Sequence, residues 1–294
     1  QQLSQMQSRR ERALLAAHAD QILLDPAGAV MLQGLGLYNF YYKSALDKFN
    51  ITPHVFRVGT YKSFVEPYTR DDMSPEAREA NSRWLNQLWQ AYVNDAASAR
   101  KIAADAISPS KEQLLQRLKA AQGNAATYAL QQKLVDKLAT RDQQIALIAK
   151  FAGKADDDVG YRHVTLREYL RHQPDRYADQ QKPRIGLIVA AGTIQNGDQP
   201  PGTIGGESLS RLLRSVVHDD SIKALVLRID SPGGSAFAAE QIRSELLAIQ
   251  AAGKPVVVSM GSMAASGGYW IAADADRIVA EPTTITGSIG VFGL

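Results

Sequence analysis

The chain is 294 residues long, 45% of them hydrophobic and 21% charged, which is typical of one large or two ordinary globular domains. Its 33 basic and 30 acidic residues are interspersed and leave a net charge of +3, so no basic block indicates a nucleic-acid-binding protein. The absence of cysteine excludes disulfide bonds and thiolate metal sites, and no apolar run reaches the roughly 18 residues that a membrane-spanning helix needs.

The two ends of the sequence lead us to expect a piece of a longer protein. The first fifteen residues, QQLSQMQSRRERALL, lack the apolar core of a secretory signal. The last residues, TGSIGVFGL, lie in an apolar run without a stop signal.

The first half of the chain is predicted to be mostly helical. Residues 12–58 mix short elements, including a helix at ERALLAAHAD and a strand at QILLDP, and residues 72–181 form a helical zone. Ser-Pro-Glu from Ser74 predicts a helix start, because serine is a favoured N-cap and proline suits the first turn. Ser-Pro from Ser108 predicts a second start in the same way. A third helix is predicted through Leu130, Leu134 and Leu138, and a fourth over DQQIALIAKFAG.

Residues 183–294 alternate between strand and helix. The strands RIGLIVAAG, IKALVLRID, KPVVVSM and RIVAEP are separated by the helical stretches GESLSRLLRSVVHD, AAEQIRSELLAIQAAG and GGYWIAAD. The strands are continuously apolar, as in parallel sheets that helices cover on both faces. The sequence therefore predicts an α/β fold with a parallel sheet.

An internal repeat connects the two ends of the chain. AAHADQILLDP at residues 16–26 matches AADADRIVAEP at residues 272–282 in six of eleven positions, at an offset of 256 residues. A repeat of this kind predicts a tandem duplication: the end of one unit, a helical insert and the beginning of a second unit.

Two strand-to-helix corners carry candidate chemistry. The first is Ser-Pro-Gly-Gly at residues 231–234 in LRIDSPGGSAFAAEQI. Glycines there let the backbone approach a ligand and leave N–H groups near a helix N-terminus, where they can bind an oxyanion or a phosphate. The motif is short, and a tight turn explains it as well. It does not match the phosphate-loop pattern GxxxxGK[ST].

Ser266, in MGSMAASGGYWIAADADRI, follows the next strand at the corresponding corner. Ligands of open α/β sheets bind at the carboxyl ends of the strands, so both corners are expected to face one crevice. A serine beside glycine N–H donors has the layout of a nucleophile with an oxyanion hole. A serine that merely caps the following helix would leave the same pattern.

A nucleophilic serine needs a general base, and histidine and lysine are the candidates. The five histidines are His18, His54, His163, His172 and His218. None follows a strand near glycine, although a Ser-His-Asp arrangement stays open. Lys62, in FRVGTYKSFVEP, has apolar neighbours. A lysine base needs its pKa lowered by about three units, which burial supplies, but most lysines are solvated.

Three stretches together resemble the signal peptide peptidase A (protease IV) family, long bacterial type. They are RVGTYKSFVEPYTRDDMSPEAREANSRWLNQLW, DSPGGSAFAAEQIR and SMAASGGYWIAADADRIVAEPTTITGSIGVFG, and the resemblance runs from about Ala16 to Leu294. It implies the α/β fold of the ClpP/crotonase superfamily, with repeated β-β-α units in tandem and a helical insert between the halves. It also implies a serine peptidase with a Ser/Lys dyad that degrades cleaved signal peptides at the bacterial inner membrane, on the periplasmic side.

The resemblance implies further partners and assigns individual roles. It implies a homo-oligomer (a tetramer), a membrane anchor outside this sequence, and neither cofactor, metal nor nucleic acid. The residues it assigns are the nucleophile Ser266, the general base Lys62, the oxyanion-hole donors Gly233 and Gly267, the turn-supporting Gly234, and Ser288, which hydrogen-bonds and orients the lysine.

The repeat and the resemblance together predict three segments. Residues 1–58 end a degenerate first unit, residues 59–182 hold the lysine and a helical connection, and residues 183–294 begin the second unit. The offset of the repeat places Arg10 opposite Ser266, so the site is expected to be shared between the halves.

Two alternative functions fit the same motifs. In a crotonase-like acyl-CoA enzyme, the glycine N–H groups would polarise a thioester carbonyl and Lys62 would have no task. In an inactive assembly scaffold, Ser266 would only cap a helix.

Overall fold

The computed structural model describes residues 2–173 and 183–293, with side chains from residue 10 onward. The predicted segment boundary after residue 182 lies outside the described residues. The helices are α1 (Gln2–Ala17), α2 (Lys43–Lys48), α3 (Glu66–Thr69), α4 (Pro75–Arg100), α5 (Ala104–Ile107), α6 (Lys111–Ala120), α7 (Ala125–Gln131), α8 (Arg141–Ala152), α9 (Leu166–Arg171), α10 (Gly206–His218), α11 (Ala236–Ala251) and α12 (Gly267–Ala272).

The strands are β1 (Leu23–Leu24), β2 (Phe56–Val58), β3 (Lys137–Leu138), β4 (Arg184–Ala191), β5 (Thr193–Gln195), β6 (Thr203–Gly205), β7 (Ile222–Ser231), β8 (Val256–Ala264), β9 (Arg277–Val279) and β10 (Val291–Gly293). The chain divides into two compact units. The first comprises Gln1–Gly36 and Leu88–Ala178, and the second Leu37–Gln87 and Asp179–Leu294.

The first unit is helical, with a short parallel pair between β1 and β3. Its core joins small and large apolar side chains, among them Val93, Ile107, Tyr128 and Val135. Small residues such as alanine let helices approach one another closely, which accounts for the many alanines in this cluster.

The second unit is built on a four-stranded parallel sheet in the order β4-β7-β8-β9. Alternate residues of β7, namely Leu225, Leu227 and Ile229, are fully buried and share one core with Leu213 of α10 and Ile242 of α11. Neighbouring parallel strands need a crossover connection, and the helices that supply it here bury one face of the sheet. The predicted α/β class with a parallel sheet is confirmed.

The other face of the sheet differs from the expectation. On β4, Ile185, Leu187 and Val189 are 68%, 67% and 61% exposed. Within the described ranges, the expected helical cover on both faces is therefore missing at this strand. Continuous apolar sequence predicted the burial of both faces, but burial depends on which elements pack there.

The predicted elements of residues 183–294 agree closely with β4, α10, β7, α11, β8, α12 and β9. The helix start at Ser74 is also confirmed, since α4 begins at Pro75 and the Ser74 hydroxyl accepts the N–H of Ala77 at 3.1 Å. Helix α8 fulfils the prediction for DQQIALIAKFAG.

Two predicted helices are present, but one predicted boundary of each is wrong. The start at Ser108 fails because Ser110 caps α6 instead, in a capping box with Gln113 that satisfies two backbone N–H groups. The helix through Leu130, Leu134 and Leu138 ends at Gln131, and Leu138 lies in β3. Lys133 has a φ of 58°, a left-handed conformation that a continuing helix does not allow.

The two copies of the repeat have the same order of local structure. Helix α1 ends at Ala17 and β1 follows, while α12 ends at Ala272 and β9 follows. In the part of the chain that the structure describes, no helix combines the length and apolar character needed to cross a bilayer.

Candidate active site

Ser266 lies at the corner between β8 and α12 in a strained backbone conformation, with φ 50° and ψ −117°. Non-glycine residues rarely adopt a positive φ, and such strain persists only where the surroundings enforce it. Here its N–H donates to the carbonyl oxygen of Gly287 at 2.9 Å, and its carbonyl oxygen accepts the N–H groups of Tyr269 and Trp270 at 3.0 Å each. The side chain makes no capping bond to α12, so helix capping does not account for the serine.

Lys62 lies beside Ser266 although the two residues are far apart in the sequence of the second unit. It follows β2 in a tight turn, where its N–H donates to the carbonyl oxygen of Gly59 at 3.1 Å. The side chain is only 6% exposed. Its Nζ lies 3.2 Å from Oγ of Ser266 and 2.9 Å from the backbone carbonyl oxygen of Ser288. The predicted pair is therefore in direct contact.

The contact with Ser288 is made by a different atom than expected. The resemblance implied a serine hydroxyl, whereas the structure shows the carbonyl oxygen of Ser288 accepting the hydrogen bond from Nζ. Ser288 has a φ of 46°, a conformation that belongs to the turn before β10. A carbonyl presented by a turn depends on the backbone, and the side-chain type does not reveal it.

The pairing of β10 with β2 holds the turn that carries Lys62 against the turn that carries Ser288. The two strands are antiparallel, with Val291 opposite Val58 and Phe292 opposite Arg57. Gly290, at φ 156°, precedes this pair, and a Cβ there would lie 2.1 Å from the carbonyl oxygen of Val58. Glycine is thus required for the close approach of these two segments of the backbone.

Burial lowers the pKa of Lys62 from its ordinary value of 10.5. Desolvation penalises the ammonium form, and the partners of Nζ are a hydroxyl and a carbonyl. The ring of Phe292, with its centroid 5.7 Å from Nζ, would weakly favour the charged form, but burial prevails. A neutral amine beside a serine hydroxyl can accept its proton.

The N–H of Gly233 is not available to a ligand. It donates to Oγ of Ser231 at 3.1 Å, and Ser231 is fully buried. The prediction of Gly233 as an oxyanion-hole donor is therefore corrected: the glycine is near the serine, but its N–H points into the protein. A Cβ on Gly233 would lie 2.8 Å from Cβ of Ser266 and 2.8 Å from the N atom of Gly267, which explains the glycine.

Gly234 offers the free N–H instead. The carbonyl oxygen of Gly233 accepts the N–H of Ile194 at 2.9 Å. Because this peptide bond is trans, the N–H of Gly234 points the opposite way, away from the backbone of Ile194. Gly267 is adjacent, since a Cβ there would lie 3.4 Å from the N atom of Gly234. Among the described residues, neither N–H group has a hydrogen-bond partner.

The remaining sequence candidates do not reach the site. In the described ranges, the side-chain contact of the Ser266 hydroxyl is with Lys62, and no hydrogen bond joins it to a histidine. His18 instead lies 3.5 Å from Asp95 in the first unit. Within the same ranges, no three His, Cys, Asp or Glu side chains are grouped as a metal would require.

The comparisons with known proteins identify the family. "Protease 4" of Salmonella typhi is 47% identical over 280 residues, which cover 95% of this chain and 45% of that protein. "Protease 4" of Haemophilus influenzae is 46% identical over 279 residues, with the same coverage of 95% and 45%. The chain thus spans about half the length of these relatives. A solved ClpP1 mutant from Listeria monocytogenes is 20% identical, covers 34% of this chain and 50% of its own, and gives a TM-score of 0.25.

The family model of "Peptidase family S49" matches residues 9–154 and 248–293, more than half of the chain. The two matched ranges contain both Lys62 and Ser266. The chain belongs to peptidase family S49.

Proposed function

We propose that this chain carries the active site of a serine peptidase in which Ser266 is the nucleophile and Lys62 the general base. The observation that supports this proposal most directly is the 3.2 Å contact between Nζ of the buried lysine and Oγ of the strained serine. Membership of a peptidase family agrees with it.

The geometry supports a two-step hydrolysis. Neutral Lys62 takes the proton of Ser266 as Oγ attacks the carbonyl carbon of the peptide bond, and the N–H groups of Gly234 and Gly267 stabilise the oxyanion. The lysine then gives the proton to the leaving amine. Water, deprotonated by the amine of Lys62, then hydrolyses the acyl-enzyme ester and regenerates Ser266. The carbonyl of Ser288 holds one N–H of the amine, which keeps Nζ beside Oγ, where its lone pair can accept the hydroxyl proton.

The substrate, location and assembly follow from the family resemblance. The proposed substrates are cleaved signal peptides, degraded on the periplasmic side of the bacterial inner membrane by a membrane-anchored homo-tetramer. The proposed organisation is a tandem duplication: residues 1–58 end a degenerate first unit, residues 59–182 hold the lysine and the helical connection, and residues 183–294 supply the serine.

The two alternatives are disfavoured by the same contacts. An acyl-CoA enzyme of the crotonase type would give no role to a buried lysine in contact with Ser266. A scaffold in which Ser266 caps α12 would require a capping bond from its side chain, and that bond is absent at this described helix.

The test is hydrolysis of a fluorogenic peptide of apolar residues by the wild-type full chain and by the variants Lys62→Ala and Ser266→Ala. We expect each variant to remain folded by circular dichroism and to lose at least roughly 10³-fold in kcat, as dyad members act as a unit. Retained activity in Ser266→Ala would refute the nucleophile, and retained activity in Lys62→Ala alone would refute the base.

A further inference from the structure

Ser231 is a buried polar residue that contacts both turns of the proposed site. It ends β7 and is 0% exposed. Its Oγ accepts the N–H of Gly233 at 3.1 Å, and its carbonyl oxygen accepts the N–H of Ala265 at 3.0 Å. One residue therefore links the turn that carries Gly234 to the turn that carries Ser266.

Ser231 lies in a closely packed position. A Cβ placed on Gly268 would lie 3.1 Å from the carbonyl oxygen of Ser231 and 3.3 Å from its Cβ. The position is packed by backbone of α12, and Ser231 pairs with Ala264 just after an irregularity in the β7–β8 register. A buried N–H that loses its acceptor is destabilising, so the Pro232–Gly233 peptide would rotate to find another acceptor.

Rotation of that peptide would change the φ of Gly233 and so displace the next peptide, which carries the N–H of Gly234. Gly233 and Gly234 have φ values of 98° and 152°, and glycine adopts many other conformations at little cost. The hydroxyl of Ser231 fixes the N–H of Gly233 on one side, and the N–H of Ile194 fixes its carbonyl oxygen on the other. These two bonds leave the N–H of Gly234 free beside Gly267.

We propose that Ser231 is a positioning residue for the oxyanion site: its hydroxyl holds the Pro232–Gly233 peptide, and with it the φ of Gly233, in the conformation from which the next peptide presents the N–H of Gly234 to the substrate. This inference rests on the proposed peptidase function. Ser231 acts through the glycine turn and does not itself touch the substrate. Loss of the Ser231 hydroxyl should destabilise the transition state, in which the oxyanion exists, far more than the ground state.

The experiment compares Ser231→Ala, Ser231→Cys and Ser210→Ala in the full chain. Ser210 is a matched control, because it is a buried serine of the same unit whose hydroxyl has no hydrogen-bond partner in the described structure. The readouts are kcat and KM for the fluorogenic peptide and the inhibition constant of a peptide aldehyde. Oγ of Ser266 attacks the carbon of the aldehyde, and the hydroxyl proton passes by way of Lys62 to the aldehyde oxygen. The resulting hemiacetal oxygen occupies the oxyanion site.

For Ser231→Ala we expect kcat to fall roughly tenfold or more, somewhat less than for deletion of a whole oxyanion donor. KM should stay within about twofold, and aldehyde binding should weaken by the same factor as kcat. Ser231→Cys should restore part of both, since the thiol keeps the shape and is a weak acceptor. Ser210→Ala should match the wild type.

The proposal is wrong if Ser231→Ala keeps kcat and aldehyde affinity within about twofold of the wild type, or if Ser210→Ala loses as much. If Ser231→Ala does not fold, the decision falls to Ser231→Cys, for which the proposal requires a lower kcat than the wild type at a nearly unchanged KM. Amide exchange of Gly233 by NMR tests the hydrogen bond without activity: exchange must accelerate in the Ser231 variants. Activity that survives Ser266→Ala would instead refute the proposed function, and the exchange result would still stand.

Discussion

At the residue scale, the chemistry of Lys62 follows from its burial. Removing the ammonium from water costs free energy, so the folded protein binds this proton less tightly than the unfolded chain does. The pKa in the folded state therefore lies below 10.5, and the amine is neutral over a wider range of pH than an exposed lysine would be. A base must be neutral to accept the proton of Ser266.

We predict that kcat rises with pH through a pKa below 10.5 and then levels off. Lys62→Arg should be inactive across the whole range, because a guanidinium does not deprotonate in proteins. The measurement is the initial rate of peptide hydrolysis against pH for both proteins. A rate that falls as pH rises, or an active Lys62→Arg, would show that the neutral amine is not the base.

The sequence could predict the residue types of the site but not the orientation of its backbone groups. Ser266 and Lys62 were candidates because nucleophilic catalysis needs such side chains, and the family resemblance assigned their roles. Gly233 and Gly234 are adjacent and alike in sequence, and which of them has a free N–H is decided by Ser231 and Ile194. Ser231 gave a signal only as a polar residue at the end of an apolar strand.

At the scale of elements, the β2–β10 pair is the structure that holds Lys62 in place. We predict that Gly290→Ala destabilises the protein by at least about 2 kcal/mol, from a strained φ and a clash with the backbone of Val58. Gly293, in the strand that follows Gly290, has open space around it, so Gly293→Ala should stay within about 0.5 kcal/mol of the wild type. Urea unfolding measures both, and equal effects would contradict the role of Gly290.

A second element contact joins α11 to α12, the helix that follows Ser266. The carboxylate of Glu240 accepts hydrogen bonds from the guanidinium of Arg243 at 2.7 Å and from Nε1 of Trp270 at 2.9 Å. Arg243 and then Trp270 lower the pKa of Glu240 from 4.5 to about 2. Asp274 also pairs with Arg243.

This pKa makes the contact sensitive to acid. A carboxylate with a lowered folded-state pKa stabilises the fold above 4.5, and that contribution disappears as pH falls from 4.5 towards 2. We predict that the urea midpoint of the wild type drops more between pH about 5 and pH about 3 than that of Glu240→Gln. Equal drops in the two proteins would mean that Glu240 does not carry the effect.

Elements were predictable where one physical signal dominates. The strands and helices of residues 183–294 can be predicted from apolar runs and from helical periodicity. The helix ends near Ser108 and Gln131 were decided by a capping box and a left-handed Lys133, which compete with periodicity at single residues. The pairing of β2 with β10 joins segments too distant in sequence for local patterns to reveal.

At the scale of the whole molecule, stability of the second unit depends on one face of the parallel sheet. Leu213 of α10 is 0% exposed in that core, and its neighbour Leu212 is 50% exposed. We predict that Leu213→Ala costs about 2–5 kcal/mol of unfolding free energy, while Leu212→Ala costs about 1 kcal/mol or less. Urea unfolding followed by circular dichroism measures the difference. Similar losses would mean that the helix does not pack as described.

The proposed dyad joins residues 204 positions apart, and this separation has a consequence for biosynthesis. The ribosome completes Lys62 long before Ser266, and β10, which secures the lysine turn, is made later still. Contacts this distant in sequence form only after a long loop has closed. A nascent chain therefore carries Lys62 without its serine partner until Ser266 has been made, and the proposed peptidase site assembles only when translation has passed Gly293.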